Sequence, residues 1–200
     1  MDKPAGGTQA RSAALDAATL HDAALGYLAR YTATEAGLLR VLDRRIDRWA
    51  RIAATAGTDR DALAAEADAA RQAARTVVAR LAAAGAVNDA AFAESRVRSL
   101  VRAGRSRRAI SAHLAAKGVG AKIQRDVLME DDPDAEVGAA LVLARRRRIG
   151  PFRAGDVPNA EGRRRELAIL ARAGFPQSVA TRALDTDAEQ AEALVNELRR

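Results

Sequence analysis

From Gly85 onward, glycines cut this chain into short stretches of helical period, and the stretches repeat. Asp89–Ala103 runs into Gly104, Arg107–Lys117 into Gly118, and a third stretch covers Ala121 to about Glu130. Asp132-Pro133 starts the next, because proline at the first helical position loses no hydrogen bond. That stretch, Pro133–Arg148, stops at Gly150-Pro151, and Ala160–Ala173 stops at Gly174. Pro176–Leu184 follows, and Thr186-Asp187-Ala188-Glu189 opens a last capped helix. Leu114-Ala115-Ala116-Lys117-Gly118-Val119 matches Leu170-Ala171-Arg172-Ala173-Gly174-Phe175. In both copies a β-branched residue (Ile123, Val179) and a leucine (Leu128, Leu184) follow the glycine at equal spacing, and Arg107 and Arg163 precede it equally. No alternating apolar pattern of strand length occurs. The expectation is an all-α chain, tandem repeats of three-helix units forming an elongated molecule.

The N-terminal part reads as a degenerate copy. Asp16–Tyr31 carries Leu20, Ala24, Tyr27, Leu28 and Tyr31 near one face, and Thr34 caps a helix striped by Leu38, Leu39, Leu42 and Ile46. Leu38 and Leu42 stand where Ile110 and Leu114 stand later. Thr58 with Asp61 resembles a capping pair, and Asp59–Ala84, free of Gly and Pro, makes a helix about 39 Å long. The divisions expected are a tail over 1–15, a first unit over 16–87, a second over 88–131 and a third over 132–200.

Composition narrows the class. Aromatic residues make up only 3% and alanine supplies much of the apolar fraction, so small helical modules fit better than one thick core. The chain has no cysteine, hence no disulfide, thiolate metal site or thiol nucleophile. No apolar run reaches the roughly 18 residues of a membrane span, and no signal-peptide stretch is present, which makes the cytoplasm the expected location.

Charge points to the partner. Arg96–Arg125 holds nine basic side chains and no acidic one, while the rest of the chain nets −2, so the +7 arises locally. A segment without carboxylates attracts a phosphate backbone or an acidic groove. Its candidate contacts are Arg98, Arg102, Arg105, Arg107, Arg108, Lys117, Lys122 and Arg125. Arg107 and Arg108 sit in a helix's first turn, where cations oppose the helix dipole; with Arg105 they are read as an anion site beside free amides. Arg145, Arg146, Arg147 and Arg148, at a helix C-terminus, and Arg163 and Arg164 form a secondary basic surface. Arg44, Arg45, Arg48 and Arg51 are set against Asp43 and Asp47 and read as a solvated helix face.

Catalytic constellations are missing. His21 and His113 have no partnered spacing, His113 reading as a boundary position on a packed helix. No phosphate-binding glycine loop occurs. Glu130, Asp131, Asp132 and Asp134 form an acidic knot better explained by capping than by a metal, and Trp49 reads as a packing residue rather than a base-stacking one. The chain is expected not to be an enzyme and to need no cofactor.

Leu81-x3-Gly85-x-Val87-Asn88-Asp89-x2-Phe92-Ala93, then Val97-Arg98 and Gly104-x3-Arg108-x-Ile110-x3-Leu114-x2-Lys117-Gly118-Val119, resembles the RecX family of recombination regulators. Tyr27-Leu28-Ala29-Arg30 and Arg172-x-Gly174-Phe175 extend the likeness. The family's usual Gly-Tyr-Gly-Pro-Arg-Arg reads Gly104-Arg105-Ser106-Arg107-Arg108-Ala109 here, losing an aromatic and gaining charge, and the first unit carries the long segment Trp49–Arg75. The resemblance implies a non-enzymatic modulator of the RecA recombinase, bound to the RecA filament on single-stranded DNA; the expected state is a monomer with no membrane partner. It also implies restraint of strand exchange and of repressor cleavage. The residues alone leave two rivals. A helix-turn-helix regulator would place Arg107, Arg108 and Ser111 in a duplex major groove, and a protein-binding scaffold would owe its basic surface to composition.

Overall fold

The computed structural model describes residues 15–129, 133–156 and 158–198. Its regular elements there are helices: α1 (Ala17–Leu28), α2 (Glu35–Thr55), α3 (Arg60–Ala83), α4 (Asp89–Arg102), α5 (Arg107–Lys117) and α6 (Ala121–Met129). Then come α7 (Pro133–Arg147), a 3-10 turn (Gly150–Phe152), α8 (Ala160–Arg172), α9 (Gln177–Asp185) and α10 (Ala188–Glu197). The chain is all-α and built from three-helix units, and within each the first, second and third helices pack on one another. It divides into two compact bodies, with the boundary between Asn88 and Asp89. The residues at the expected 131/132 division lie outside those described, as do most of the tail, Glu130 and the other two linked acids of the knot.

In the first body α1, α2 and α3 enclose Leu20, Leu38, Leu42 and Ile46, all fully buried. The inward stripe of α3 is Leu63, Ala67, Ala70, Ala74, Val77, Val78 and Leu81. Its alanines add little area per residue, so burial is spread along a long interface between α2 and α3. Thr34 caps α2, its hydroxyl accepting from the Gly37 amide at 2.9 Å. The cap of α3 is Asp59, not Thr58: the carboxylate accepts from the amides of Asp61 and Ala62. A carboxylate is the stronger acceptor and also complements the helix dipole. Trp49 is buried, a packing residue as its position on the stripe implies.

In the second body α4–α6 and α7–α10 share one apolar cluster. The repeat is visible in it. Leu114 and Leu170 are fully buried, and Val119 and Phe175 are each 4% exposed. Where one copy buries Ile110, the other buries Glu166, whose carboxylate takes Arg153 in a two-pronged pair (Nη2 at 2.7 Å, Nε at 3.3 Å) and the Gly150 amide. The α7 helix ends earlier than its glycine suggests. Arg148 itself turns left-handed (φ 55), a conformation that costs a residue with a Cβ about 1–2 kcal/mol.

The turn between α4 and α5 lies directly on α7. At Gly104 (φ +74) a Cβ would come within 3.1 Å of the Ala139 carbonyl and the Leu143 amide. Three hydrogen bonds hold the turn, two to α7 and one to the end of α8. Arg146 donates to the Ala103 carbonyl at 2.9 Å, Ser106 Oγ to the Ala173 carbonyl at 2.8 Å, and the Arg107 amide to Glu136 Oε1 at 3.1 Å. Gly104→Ala is therefore expected to destabilise the second body by about 2–4 kcal/mol, strain and backbone displacement together. Gly85→Ala, at the same φ but with open space around it, is expected to cost only about 1–2 kcal/mol. Urea unfolding with amide exchange resolved by body measures both.

Candidate nucleic-acid interface

The carboxylate-free window acquires carboxylates when it coils. One helical turn separates Arg98 from Glu94 (3.9 Å) and Lys122 from Asp126 (2.7 Å), acids just outside either end of the window. Both pairs are well exposed, so each is worth about 0–1 kcal/mol and releases its cation readily to a stronger anion. Arg102, Arg105, Arg108, Lys117 and Arg125 are exposed, and Arg96 lies over the Phe92 ring at 5.6 Å.

The amide end of α5 is not open, as the sequence alone suggests. Ser106 Oγ accepts from the Ala109 amide, and Glu136, 8% exposed, accepts from the Arg107 amide while its other oxygen lies 3.7 Å from Arg107 Nε. The anion that this helix start calls for is supplied from α7. Arg107 is thus half-buried against Glu136, and Arg108 stays exposed beside Gly174.

The structure assembles a different group of arginines. The last turns of α4, α7 and α8 converge around a cleft of about 360 Å³ lined by Arg105, Arg146, Arg147 and Arg172, with Leu143 and Ile169 as its apolar part. Among the described residues no acid lines it. Each of these helices ends with unpaired carbonyls and a negative partial charge, which makes arginines favourable there and lets several crowd together. Arg146 spends a donor on such a carbonyl, that of Ala103. Arg145 turns away to Glu192 at 3.3 Å, Arg163 pairs with Asp185, and Arg147, Arg148 and Arg164 are exposed. Sequence reasoning missed Arg172. Its signals were position, in the last turn before Gly174, and its place in the Arg172-x-Gly174-Phe175 likeness.

His113 reports on this field. Burial pushes its pKa below the ordinary 6.5, and the charges of Lys117, Arg96 and Arg105 push the same way. Its Nε2 is buried without a hydrogen-bond partner among the described residues.

The fold and this basic surface define a class: a helical protein made of three-helix units with an arginine-lined face. Residues 88–128 match the sequence profile of the RecX second three-helix domain. The chain is 38% identical over 169 residues to the regulatory protein RecX of Myxococcus xanthus, covering 84% of this chain and 85% of that one. It is 44% identical over 107 residues to regulatory protein RecX of Mycobacterium tuberculosis (52% and 61% covered). A crystal structure of regulatory protein RecX shares the fold at a TM-score of 0.62 and 22% identity, over 85% of this chain and 72% of that one. The chain belongs to the RecX family, and its role is regulatory. Among the described residues no helix is long and apolar enough to cross a membrane.

A folded-state pKa below the unfolded one means that the unfolded chain takes up a proton the folded chain refuses. The stability of the second body should therefore fall as pH drops below about 6.5 and level off below the folded pKa, and His113→Gln should remove that slope. Imidazole NMR titration reads the pKa directly. An oligonucleotide bound at Arg105 should raise it.

Proposed function

We propose that this protein is a non-enzymatic regulator of the RecA recombinase, acting in the cytoplasm as a monomer without a cofactor. It binds the RecA–single-stranded DNA filament and limits strand exchange and SOS coprotease activity. The observation that carries the reading is the cleft where Arg105, Arg146, Arg147 and Arg172 meet with no described acid in the lining. Such a site attracts a phosphate backbone through charge-assisted guanidinium–phosphate bonds and through release of the backbone's counterions. Arg102, Arg108, Lys117 and Arg125 extend the surface, and Arg98 and Lys122 join it when an anion displaces their exposed partners.

Reading a duplex through a recognition helix has less support. Of the three side chains it would need, Arg107 is engaged by Glu136, and Ser111 donates to Gln124 Oε1 at 3.0 Å. Of these three, Arg108 stays exposed.

The test is the single-stranded-DNA-dependent ATPase of the cognate RecA, titrated with this protein. Wild type is expected to inhibit. Arg105→Ala/Arg147→Ala/Arg172→Ala should need roughly tenfold more protein for the same effect. Its salt dependence should also be shallower, by about 0.7 in log–log slope for each phosphate left unneutralised. Unchanged inhibition by this variant would remove the cleft from the interface. Inhibition well below the RecA concentration indicates action at filament ends, and inhibition only near equal ratios indicates occupancy along the groove.

A further inference from the structure

A second basic recess lies in the first body, on residues that take no part in the Arg105 cleft. It is a notch of about 360 Å³ between α1 and α2, lined by Gly26, Tyr27, Arg30, Arg44, Arg45 and Arg48. By sequence these arginines look neutralised by Asp43 and Asp47. Asp47 is taken by Arg71 from α3 at 2.9 Å, and Asp43 is not part of the lining. No carboxylate among the described residues pairs with Arg44, Arg45 or Arg48. Arg30 is held over the α1 end by its Nε, which donates to the Gly26 carbonyl at 3.2 Å.

Two features show what the notch takes. Tyr27 lines the notch with the guanidiniums, and its ring lies 5.1 Å from that of Tyr31, tilted by 38°, with Tyr31 56% exposed. Gly26 sits inside α1, where glycine is the poorest helix former after proline, yet a Cβ there would meet nothing within 4 Å. Internal packing gives no reason for the missing side chain. Its effect is to keep the notch open at the foot of Tyr27.

We infer that this notch binds one unstacked nucleotide of a single nucleic-acid strand, the base against Tyr27 and Tyr31 and the phosphate between Arg44, Arg45 and Arg48. Flat aromatic surface beside arginines is how proteins hold single strands without reading sequence. A duplex keeps its bases stacked inside and offers the tyrosines nothing. The site needs no RecA and is independent of the Arg105 cleft.

The test uses the whole chain with an oligothymidylate bearing iododeoxyuridine. Photo-crosslinks are expected on the peptides carrying Tyr27 or Tyr31. Tyr31→Ala, at an exposed position that leaves the fold intact, should weaken binding about tenfold with the salt slope unchanged. Arg44→Ala/Arg48→Ala should lower that slope by about 1.4, roughly 0.7 for each phosphate left unneutralised. Gly26→Leu should keep its helicity and lose the crosslink. Crosslinks confined to residues 89–200, no binding of the oligomer, or an Arg44/Arg48 variant with wild-type affinity and slope would overturn the assignment. RecA ATPase inhibition is scored on the same protein and on the Arg105/Arg147/Arg172 variant. Crosslinks at Tyr27 or Tyr31 together with full inhibition by that variant overturn the cleft reading alone. Absent crosslinks at the tyrosines, with that variant inactive, overturn the notch alone.

Discussion

The second body depends on how closely the α4–α5 turn approaches α7. Gly104 has no side chain to separate the two backbones, and the hydrogen bonds from Arg146, Ser106 and Arg107 lock the turn in place. Two repeats that could each have folded around a small core are merged by this approach into one apolar cluster. An alanine-rich chain gains from the merger, because each module alone buries little area and a shared core removes more of it from water.

The same approach sorts the arginines. Bringing α4, α7 and α8 to a common end places Arg105 beside Arg146, Arg147 and Arg172, although these are far apart in sequence. It also delivers Glu136 to the start of α5, where its carboxylate accepts from the Arg107 amide and lies 3.7 Å from the guanidinium Nε. One packing event therefore builds the cleft and cancels part of the anion site expected next to it. Negative helix ends stabilise the arginine crowd from below, so the cleft holds like charges together without a described acid in its lining.

Much of the fold was legible. Helix α5 spans the stretch read between Ser106 and Gly118, and most other helices begin and end within a residue or two of their capping and glycine signals. The misses are local and have physical causes. Asp59 outcompetes Thr58 as a cap because its charge also meets the helix dipole. Arg148 and Gly150 both take left-handed φ, so the turn closing α7 begins two residues before the glycine that marks it in the sequence. A glutamate at the repeat position of Ile110 gives no hint in one dimension that Arg153 will reach it. The electrostatic reading fared less evenly. A window counted along the chain misses acids one helical turn beyond its edges, which is where Glu94 and Asp126 stand.

By itself the sequence determined the helical class, the repeat and the local origin of the positive charge, since period, caps and composition act over a few residues. Tertiary structure decided which cations are free. Arg107 meets Glu136, Arg172 joins the cleft, and Asp47, one of the two acids set against Arg44, Arg45 and Arg48, pairs with Arg71. A side chain's charge is available only when no packed neighbour claims it, and the neighbours that make those claims come from other helices.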